Sequence, residues 1–348
     1  MRILLVDWLG RGGIAQTSDE WIRTLVASGH EVSLATRPSR QLAFADHGAT
    51  VLEFPNLPST TAVVEHLALV AVACRHIVRV RPDVVIVQNY VLPELEIPVL
   101  LAARRYRARS VVVAHEPQTP HAPRQHRRLL ATELQRADLV VCYSRFVAGA
   151  LLAAVGKVPV EIIPLPVISA VVNKVGEVAS VVPVGSDPLA LHFGHLHRSY
   201  KGTSVVTELA RSGVRGWRLA LVGTGAPMRL DGATCVSRFL TDAEVANTVA
   251  AAEVVILPYT HAAQSAAVAL AQALGCVVVA TSVGGIPEQV PHGTGLLLDP
   301  QAPPSRWREA LLELDERARV DIVRKARALV AVNQEGFVAG VEVAVSSD

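Results

Sequence analysis

The sequence predicts an α/β fold built from two doubly wound parallel sheets. Short, β-branched apolar runs alternate with segments of helical periodicity, and turns containing Asp, Pro or Gly separate them. Runs that are apolar on both faces are typical of parallel strands covered by helices. The alternation occurs twice, on either side of residues 168–188, which show no clear periodicity. A chain of 348 residues with 51% hydrophobic content can bury two such cores.

We therefore expect an N-terminal Rossmann-like domain at 1–167, a linker at 168–188 and a C-terminal Rossmann-like domain at 189–331. A last helix, at about 332–348, is expected to pack back on the first domain. The strands predicted for the first domain are RILLVDW, EVSLAT, TVLEF, DVVIVQ, SVVVAH, LVVCYS and VEIIPLP. Those predicted for the second are LALHFGHL, RLALVG, TCVSRF, VVILPY, VVVATSV and GLLL. In such sheets, ligands bind at the carboxyl ends of the strands.

The net charge of +2 argues against a dedicated nucleic-acid-binding protein. Residues 1–165 are more basic than the rest, with 18 Lys and Arg against 14 Asp and Glu. The excess includes Arg104, Arg105, Arg107, Arg109, Arg124, Arg127 and Arg128. These residues indicate either a solvated helix end or peripheral contact with an anionic membrane surface or acceptor. The Ala- and Arg-rich, Lys-poor composition suggests a bacterial genome rich in GC.

The four cysteines predict a reducing, cytoplasmic environment. Cys74, Cys142, Cys235 and Cys276 are scattered in apolar contexts, which indicates buried thiols and neither a disulfide framework nor a zinc site. The opening MRILLVDW is too short for a signal peptide. The longest apolar stretch, Ala62–Val80, carries several charges, so no segment is expected to span a bilayer.

Two polar segments follow strands of the first domain. Gly10-Arg11-Gly12-Gly13 comes directly after the first strand and does not have the dinucleotide-binding spacing G-x-G-x-x-G. A tight structural turn and a loop that approaches a bound anion are both compatible with it. His115-Glu116 ends the strand SVVVA. His115 could hydrogen-bond a sugar hydroxyl there, or simply a neighbouring carbonyl group.

Two further segments indicate a phosphate site in the second domain. In FGHLHRSYKG, Lys201 precedes a helix and could neutralise a diphosphate, although a solvated lysine is the alternative. His195 and His197 lack an evident third ligand, so we predict no metal. In residues 259–299, Gln264-Ser265 opens a helix, and Gly284-Gly285 follows the next strand. A helix N-terminus and a glycine turn at one sheet edge are typical of a site for a phosphorylated ligand.

Taken in order, these segments resemble the retaining glycosyltransferases of the GT-B type, in the family 4 group (glycosyl transferases group 1). ADLVVCYSRFV resembles that family's "a-D-x-v-i-x-x-S" segment, VEIIPLPV its "v-x-V-I-P-x-x-V" segment, and FGHLHRSYKG its "G-R-x-x-x-x-K-G" segment. RLALVGTG, FLTDAEVANTVAAAEVVILPY and VVVATSVGGIPEQVPHGTGLLLDP resemble its C-terminal domain closely. The matches extend through nearly the whole chain.

The resemblance implies transfer of a sugar, with retention of configuration, from a nucleoside-diphosphate sugar to an acceptor hydroxyl. It implies no metal and no cofactor, a donor in the C-terminal domain and an acceptor in the N-terminal domain. By position, Lys201 would hold the diphosphate and His115 would contact the transferred sugar. Glu116, from its place beside His115, could orient that histidine or contact the acceptor. The remaining positions implied for the substrates are Gly12, Gly13 and the amides of Ser265 and Ala266 for phosphate, and Phe239 and Leu240 for the nucleobase.

The sequence departs from the family pattern at two places. Two glutamates that usually contact the sugar and the ribose are replaced by Ala262 and Leu270, which cannot accept a hydrogen bond through their side chains. Gln264-Ser265 resembles a branch with a "T-Q-S-G-V" segment, in which the acidic pair is also not kept. Without the glutamates, ribose and sugar would be held by backbone, Gln264, Ser265 or Glu288. The usual arginine partner of Lys201 is replaced by His195, whose charge near neutral pH is only partial.

Two alternatives stay open. A catalytically silent GT-B protein that binds a nucleotide sugar or a partner would explain the missing glutamates, and a sugar-nucleotide epimerase would share the two-sheet fold. The donor sugar, nucleobase, linkage and oligomeric state are not readable. The acceptor, whether a glycan, a glycolipid or a natural product, would contact loops at 8–11, 89–94 and 116–128.

Overall fold

The computed structural model describes residues 1–37, 44–52, 54, 62–88, 93–116 and 124–346. The chain divides into two compact units. The first unit contains Met1–Pro166 together with Glu335–Asp348, and the second contains Val167–Gln334.

The first unit contains a sheet of seven parallel strands. They are β1 (Arg2–Asp7), β2 (Glu31–Thr36), β3 (Thr50–Val51), β4 (Val84–Gln88), β5 (Arg109–Ala114), β6 (Leu139–Cys142) and β7 (Val160–Ile162). Their order is β3-β2-β1-β4-β5-β6-β7, and each neighbouring pair is parallel. The helices are α1 (Gly12–Ala27), α2 (Ala62–Val80), α3 (Pro93–Arg105), α4 (Arg124–Leu134) and α5 (Arg145–Val155). The central strands are buried on both faces, as their continuous apolar sequences predict.

The second unit contains a sheet of six parallel strands. They are β8 (Leu189–Phe193), β9 (Arg218–Val222), β10 (Ala233–Val236), β11 (Val254–Leu257), β12 (Val277–Thr281) and β13 (Leu296–Leu298), in the order β10-β9-β8-β11-β12-β13. Its helices are α6 (Ser169–Val172), α7 (Thr203–Ser212), α8 (Asp242–Ala250), α9 (Ala266–Ala273), α10 (Ile286–Gln289) and α11 (Pro304–Glu313). All thirteen strands coincide with predicted ones, and the predicted fold class is confirmed.

Residues 168–188, predicted as a linker, pack in the second unit. Ile168, Val171 and Val182 are each at most 3% exposed and belong to the core around β8, β11 and β12. The helix α6 has only four residues, which is too short to produce a recognisable helical period. This stretch is therefore part of a folded unit.

The last helix, α12 (Glu316–Val345), begins in the second unit and ends in the first. Its charges are concentrated before residue 328, and Phe337, Val341 and Val345 are fully buried in the core of the first unit. By length and composition alone, α12 is the one helix among the described residues that could cross a membrane. The expectation that no segment has this property is therefore corrected, because residues 328–345 of α12 carry only Glu335 and Glu342 as charged side chains.

The cysteines and the basic cluster are only partly as predicted. All four cysteines are free thiols, but Cys74 and Cys235 are only partly buried, whereas Cys142 and Cys276 are fully buried. In the basic cluster, Arg104, Arg105, Arg107 and Arg128 are exposed. Arg109 differs, because its Nε donates to the carbonyl oxygen of Ala344 at 3.1 Å and its side chain is only partly exposed.

Candidate functional site

The glycine turn after β1 is organised by a buried carboxylate, Asp7. Its Oδ1 accepts hydrogen bonds from the amides of Leu9 at 2.9 Å and Gly10 at 3.0 Å, and its Oδ2 accepts one from Ser18 Oγ at 3.0 Å. Burial raises the pKa of Asp7, and these hydrogen bonds oppose the rise by stabilising the ionised form. The carboxylate therefore fixes the start of α1 relative to the end of β1.

Gly10 is the glycine that this turn requires. It has φ of +60°, and a β-carbon there would lie 2.6 Å from the carbonyl oxygen of Arg37. The predicted ligand glycines differ from it in their surroundings, although Gly12 also has a positive φ, of +68°. Gly12 and Gly13 are exposed, and in the described structure no atom outside their immediate neighbours lies within 4 Å of a β-carbon built on either. The space beside Gly12 and Gly13 is therefore open at the N-terminus of α1.

His115 lies directly after β5 and is 8% exposed. Its Nε2 is 3.1 Å from Oε1 of Gln88, a fully buried residue at the end of β4, and its ring meets Tyr143 edge-on at 5.1 Å between centroids. Burial lowers the pKa of His115 to about 4, because the imidazolium form loses its hydration. His115 is therefore neutral near pH 7 and can act as a hydrogen-bonding group. Glu116, the next residue, is exposed.

Gln88 was not among the predicted site residues. The only signal for it in the sequence is a polar residue at the end of the apolar strand VVIVQ. Of the predicted acceptor loops, residues 89–92 and 117–123 lie outside the described residues. The remaining predicted acceptor loop, 8–11, begins at Trp8. This residue is fully buried and stacks on His66 with 4.7 Å between ring centroids.

In the second unit, Lys201 ends a 3-10 turn, Ser199–Lys201, at the carboxyl end of β8. Gly202 follows with φ of +63°, and a β-carbon at this position would overlap the carbonyl oxygen of Pro258. The amide of Thr260 donates to the carbonyl oxygen of Tyr200 at 2.9 Å. The turn that carries Lys201 is thus held against the segment that follows β11.

The ammonium group of Lys201 is bound to Tyr259, which the sequence did not identify. Lys201 Nζ donates to the Tyr259 hydroxyl at 2.7 Å and lies 4.2 Å from the centre of its ring. Tyr259 is 2% exposed, and burial raises the pKa of its hydroxyl, a rise that the nearby side chain of Ser265 opposes. Partial burial lowers the pKa of Lys201, and Tyr200 opposes that change. Tyr259 therefore contacts the lysine and lies near the N-cap of α9.

Ser265 is the N-cap residue of α9 and is buried. Its amide donates to Gln289 Oε1 at 2.7 Å, and its carbonyl oxygen accepts from Gln289 Nε2 at 3.1 Å. Since the Ser265 amide is already bonded, an anion at this terminus would meet the first-turn amides, beginning with that of Ala266. Gln264, the residue before the N-cap, is partly exposed.

His195 is exposed at the end of β8, and its Nδ1 is 2.9 Å from Thr224 Oγ1. Its pKa is lowered, first by partial burial and then by the charges of His197, Lys201 and Arg198. It therefore carries less positive charge near neutral pH than an unperturbed histidine. Within the described residues, no group of three or more His, Cys, Asp or Glu could hold a metal ion.

The other predicted substrate contacts differ in exposure. Phe239 is 56% exposed, whereas Leu240 is 8% exposed and packs in the core of the second unit. The carbonyl oxygen of Phe239 accepts from Arg238 Nη1 at 3.0 Å. Glu288 is exposed on α10. Leu270, at one of the two positions where the family usually has a glutamate, is buried, with 6% of its surface exposed.

Two family matches cover most of the chain in order. Residues 11–169 match the family described as Glycosyltransferase Family 4, and residues 187–316 match the family described as Glycosyl transferases group 1. A comparison with curated protein sequences found no match.

Three solved structures each align with 99% of this chain. One is sucrose-phosphate synthase from Thermosynechococcus elongatus, with 18% identity, 97% of that chain covered and a TM-score of 0.74. A second is Anabaena Alr3699/HepE in complex with UDP and glucose, with 20% identity, 97% covered and a TM-score of 0.75. A third is a glycosyltransferase from Rickettsia africae, with 17% identity, 97% covered and a TM-score of 0.76. At these identities the likeness establishes the fold.

Two Rossmann-like units with parallel sheets place the chain in the GT-B structural class. The chain is a glycosyltransferase, and its matched segments are of the group 1 and family 4 type.

Proposed function

We propose that the protein transfers a sugar from a nucleoside-diphosphate sugar to an acceptor hydroxyl, with retention of configuration and without a metal or cofactor. The observation that carries this proposal is the hydrogen bond from Lys201 to Tyr259, whose hydroxyl lies near Ser265 at the N-terminus of α9. An ammonium group and a helix N-terminus are both groups that proteins use to hold a diphosphate without a metal ion.

The donor diphosphate would lie between Lys201 and the first amides of α9. Both groups stabilise negative charge, and that charge grows on the diphosphate as the bond to the sugar breaks. The acceptor hydroxyl would attack from the face that the diphosphate leaves, and a phosphate oxygen would take its proton. This route needs no separate base, and it is compatible with His115, which is neutral near pH 7 and can hydrogen-bond a sugar hydroxyl.

Uracil is the first nucleobase to test, because the Anabaena protein of the same fold was solved with UDP and glucose. The exposed ring of Phe239 would lie beside the base, and the buried Leu240 would contribute only through its backbone. With no polar side chains at Ala262 and Leu270, ribose and sugar would be held by Gln264, Ser265 or Glu288. A bacterial origin, a cytoplasmic location and peripheral membrane contact remain predictions.

A second candidate is a catalytically silent protein that binds a nucleotide sugar. The apolar residues Ala262 and Leu270 favour it, because they remove two hydrogen-bond acceptors that the resemblance leads us to expect.

A panel of UDP-, GDP- and dTDP-sugars tests the proposal through nucleotide release, with and without simple sugar acceptors. We expect the wild type to release nucleotide from at least one donor and Lys201→Ala to lose this activity while its melting temperature is kept. Lys157→Ala, at an exposed lysine of the first unit, is the control and should be fully active. Donor binding without turnover in the wild type would favour the silent protein, and interconversion of sugar nucleotides without acceptor would favour an epimerase.

A further inference from the structure

The positions of Lys201 and Tyr259 are fixed by contacts that involve neither side chain. The amide of Thr260 donates to the carbonyl oxygen of Tyr200, and Gly202 packs against the carbonyl group of Pro258. These backbone contacts join the loop after β8 to the loop after β11. Lys201 and Tyr259 are thereby placed opposite each other before any ligand binds.

The phenol of Tyr259 then fixes the end of the lysine side chain. Lys201 Nζ contacts both the hydroxyl, at 2.7 Å, and the face of the ring, at 4.2 Å from its centre. A lysine side chain loses much rotational freedom when its ammonium group is held in one place. Here that loss occurs on folding, so it does not weaken the binding of a ligand afterwards.

Tyr259 is inaccessible to a ligand through its hydroxyl. The residue is 2% exposed, and the hydroxyl already accepts a hydrogen bond from Lys201. Its carbonyl oxygen accepts from the side chain of Thr281, at the end of β12. Tyr259 can therefore affect a bound diphosphate only through the groups that it holds.

We propose that Tyr259 is a positioning residue that fixes the Lys201 ammonium group relative to the N-terminus of α9, so that both contact one diphosphate. The inference rests on the proposed function, because it assumes that Lys201 binds the diphosphate of the donor. In this arrangement Tyr259 sets the distance between the two anion-binding groups, the Lys201 ammonium group and the N-terminus of α9.

A double-mutant cycle tests this role, with calorimetric affinity for UDP as the readout, or for GDP where the wild type binds it more tightly. Tyr259→Phe keeps the ring under the ammonium group and removes only the hydroxyl. Loss of a hydrogen bond to a charged group should weaken diphosphate binding roughly tenfold. In the Lys201→Ala background the same change should have no further effect, because the lysine is the group through which Tyr259 acts.

Tyr106→Phe is the control. It removes a hydroxyl from a tyrosine of the first unit whose ring centre lies 5.8 Å from the guanidinium carbon of Arg105. This variant should keep the wild-type affinity for UDP. If Tyr259→Phe has a lowered melting temperature, Ser265→Ala provides a second test, because it removes a hydroxyl group near that of Tyr259 and leaves the phenol in place.

The outcomes separate the two proposals. Equal losses of affinity from Tyr259→Phe in both backgrounds would show that Tyr259 acts independently of Lys201, and would overturn the positioning role alone. Unchanged affinity in Tyr259→Phe would do the same. A Lys201→Ala variant that binds the diphosphate as the wild type does would overturn both the role of Lys201 and that of Tyr259. A wild type that binds neither UDP nor GDP would overturn the proposed function.

Discussion

The side-chain amide of Gln289 makes two hydrogen bonds to the backbone of Ser265. Gln289 Oε1 accepts from the Ser265 amide at 2.7 Å, and Gln289 Nε2 donates to the Ser265 carbonyl oxygen at 3.1 Å. Gln289 itself is held from the other side, because Gln272 Nε2 donates to its carbonyl oxygen at 2.9 Å. Helix α10 therefore fixes the N-terminus of α9. The first helical turn of α9 is where we place the donor phosphate.

Substitution of Gln289 should separate stability from ligand binding. Gln289→Ala removes two hydrogen bonds to the N-cap and should cost about 1–2 kcal/mol in the free energy of unfolding. Gln289→Glu keeps an acceptor for the Ser265 amide and adds negative charge beside a helix N-terminus. It should therefore lower the free energy of unfolding less than Gln289→Ala does. It should nevertheless weaken UDP binding by charge repulsion. Gln301→Ala, at an exposed position, is the control, and equal UDP affinity in all three would contradict the phosphate assignment.

The turn at Gly202 offers a matched pair of glycines. Gly202 and Gly213 have nearly the same φ, +63° and +67°, but only Gly202 lies against a neighbouring backbone, the carbonyl group of Pro258. Gly213 has ψ of 150°, outside the left-handed helical region, and Gly213→Ala should cost about 1–3 kcal/mol from this backbone conformation alone. Gly202→Ala should cost about 3 kcal/mol or more and should also weaken UDP binding, because Lys201 must move. Urea unfolding and calorimetry measure both effects, and similar losses in the two variants would rule out a specific clash.

Two buried histidines predict a pH dependence of stability. Burial lowers the pKa of His115 in the first unit and of His192 in the second to about 4. Because an unfolded histidine titrates near 6.5, the unfolded chain binds more protons between these values. The stability contributed by the neutral imidazoles is fully present above pH 6.5 and is lost as pH falls toward 4, by up to about 3 kcal/mol for each group.

Hydrogen exchange of peptides from each unit, with protection factors measured from pH 7 to pH 4, tests this expectation. His115→Gln should flatten the pH dependence in the first unit only, and His192→Gln should flatten it in the second only. Each variant is the control for the other. An unchanged slope in both would mean that neither histidine is held in its neutral form.

His195 should limit the affinity for a diphosphate. Since its pKa is lowered, the position supplies little positive charge near neutral pH, whereas an arginine is always charged. His195→Arg should therefore tighten UDP binding about two- to fivefold at pH 7.5. His197→Arg adds the same charge two residues away and should have a smaller effect. A gain of the same size in both variants would indicate a general attraction of the loop, not a contact at position 195.

The strands and the fold class could be predicted because each strand is a separate apolar run with local turn signals, as in VVVATSV before Gly284. The positions of His115 and Lys201 could be predicted because each residue follows a strand, and the carboxyl ends of parallel strands lie at one edge of their own sheet. The link from Lys201 to Tyr259 joins residues 58 positions apart, and that from Gln289 to Ser265 joins residues 24 apart. Such pairs depend on how loops pack, and no local pattern in the sequence specifies them.

A crystal structure of the protein with UDP, or with the diphosphate that binds best in the panel, tests the central claim most directly. We expect a phosphate group within hydrogen-bonding distance of both Lys201 Nζ and the amide of Ala266, with the Lys201–Tyr259 hydrogen bond retained. A diphosphate bound away from Lys201 and the N-terminus of α9 would contradict the account.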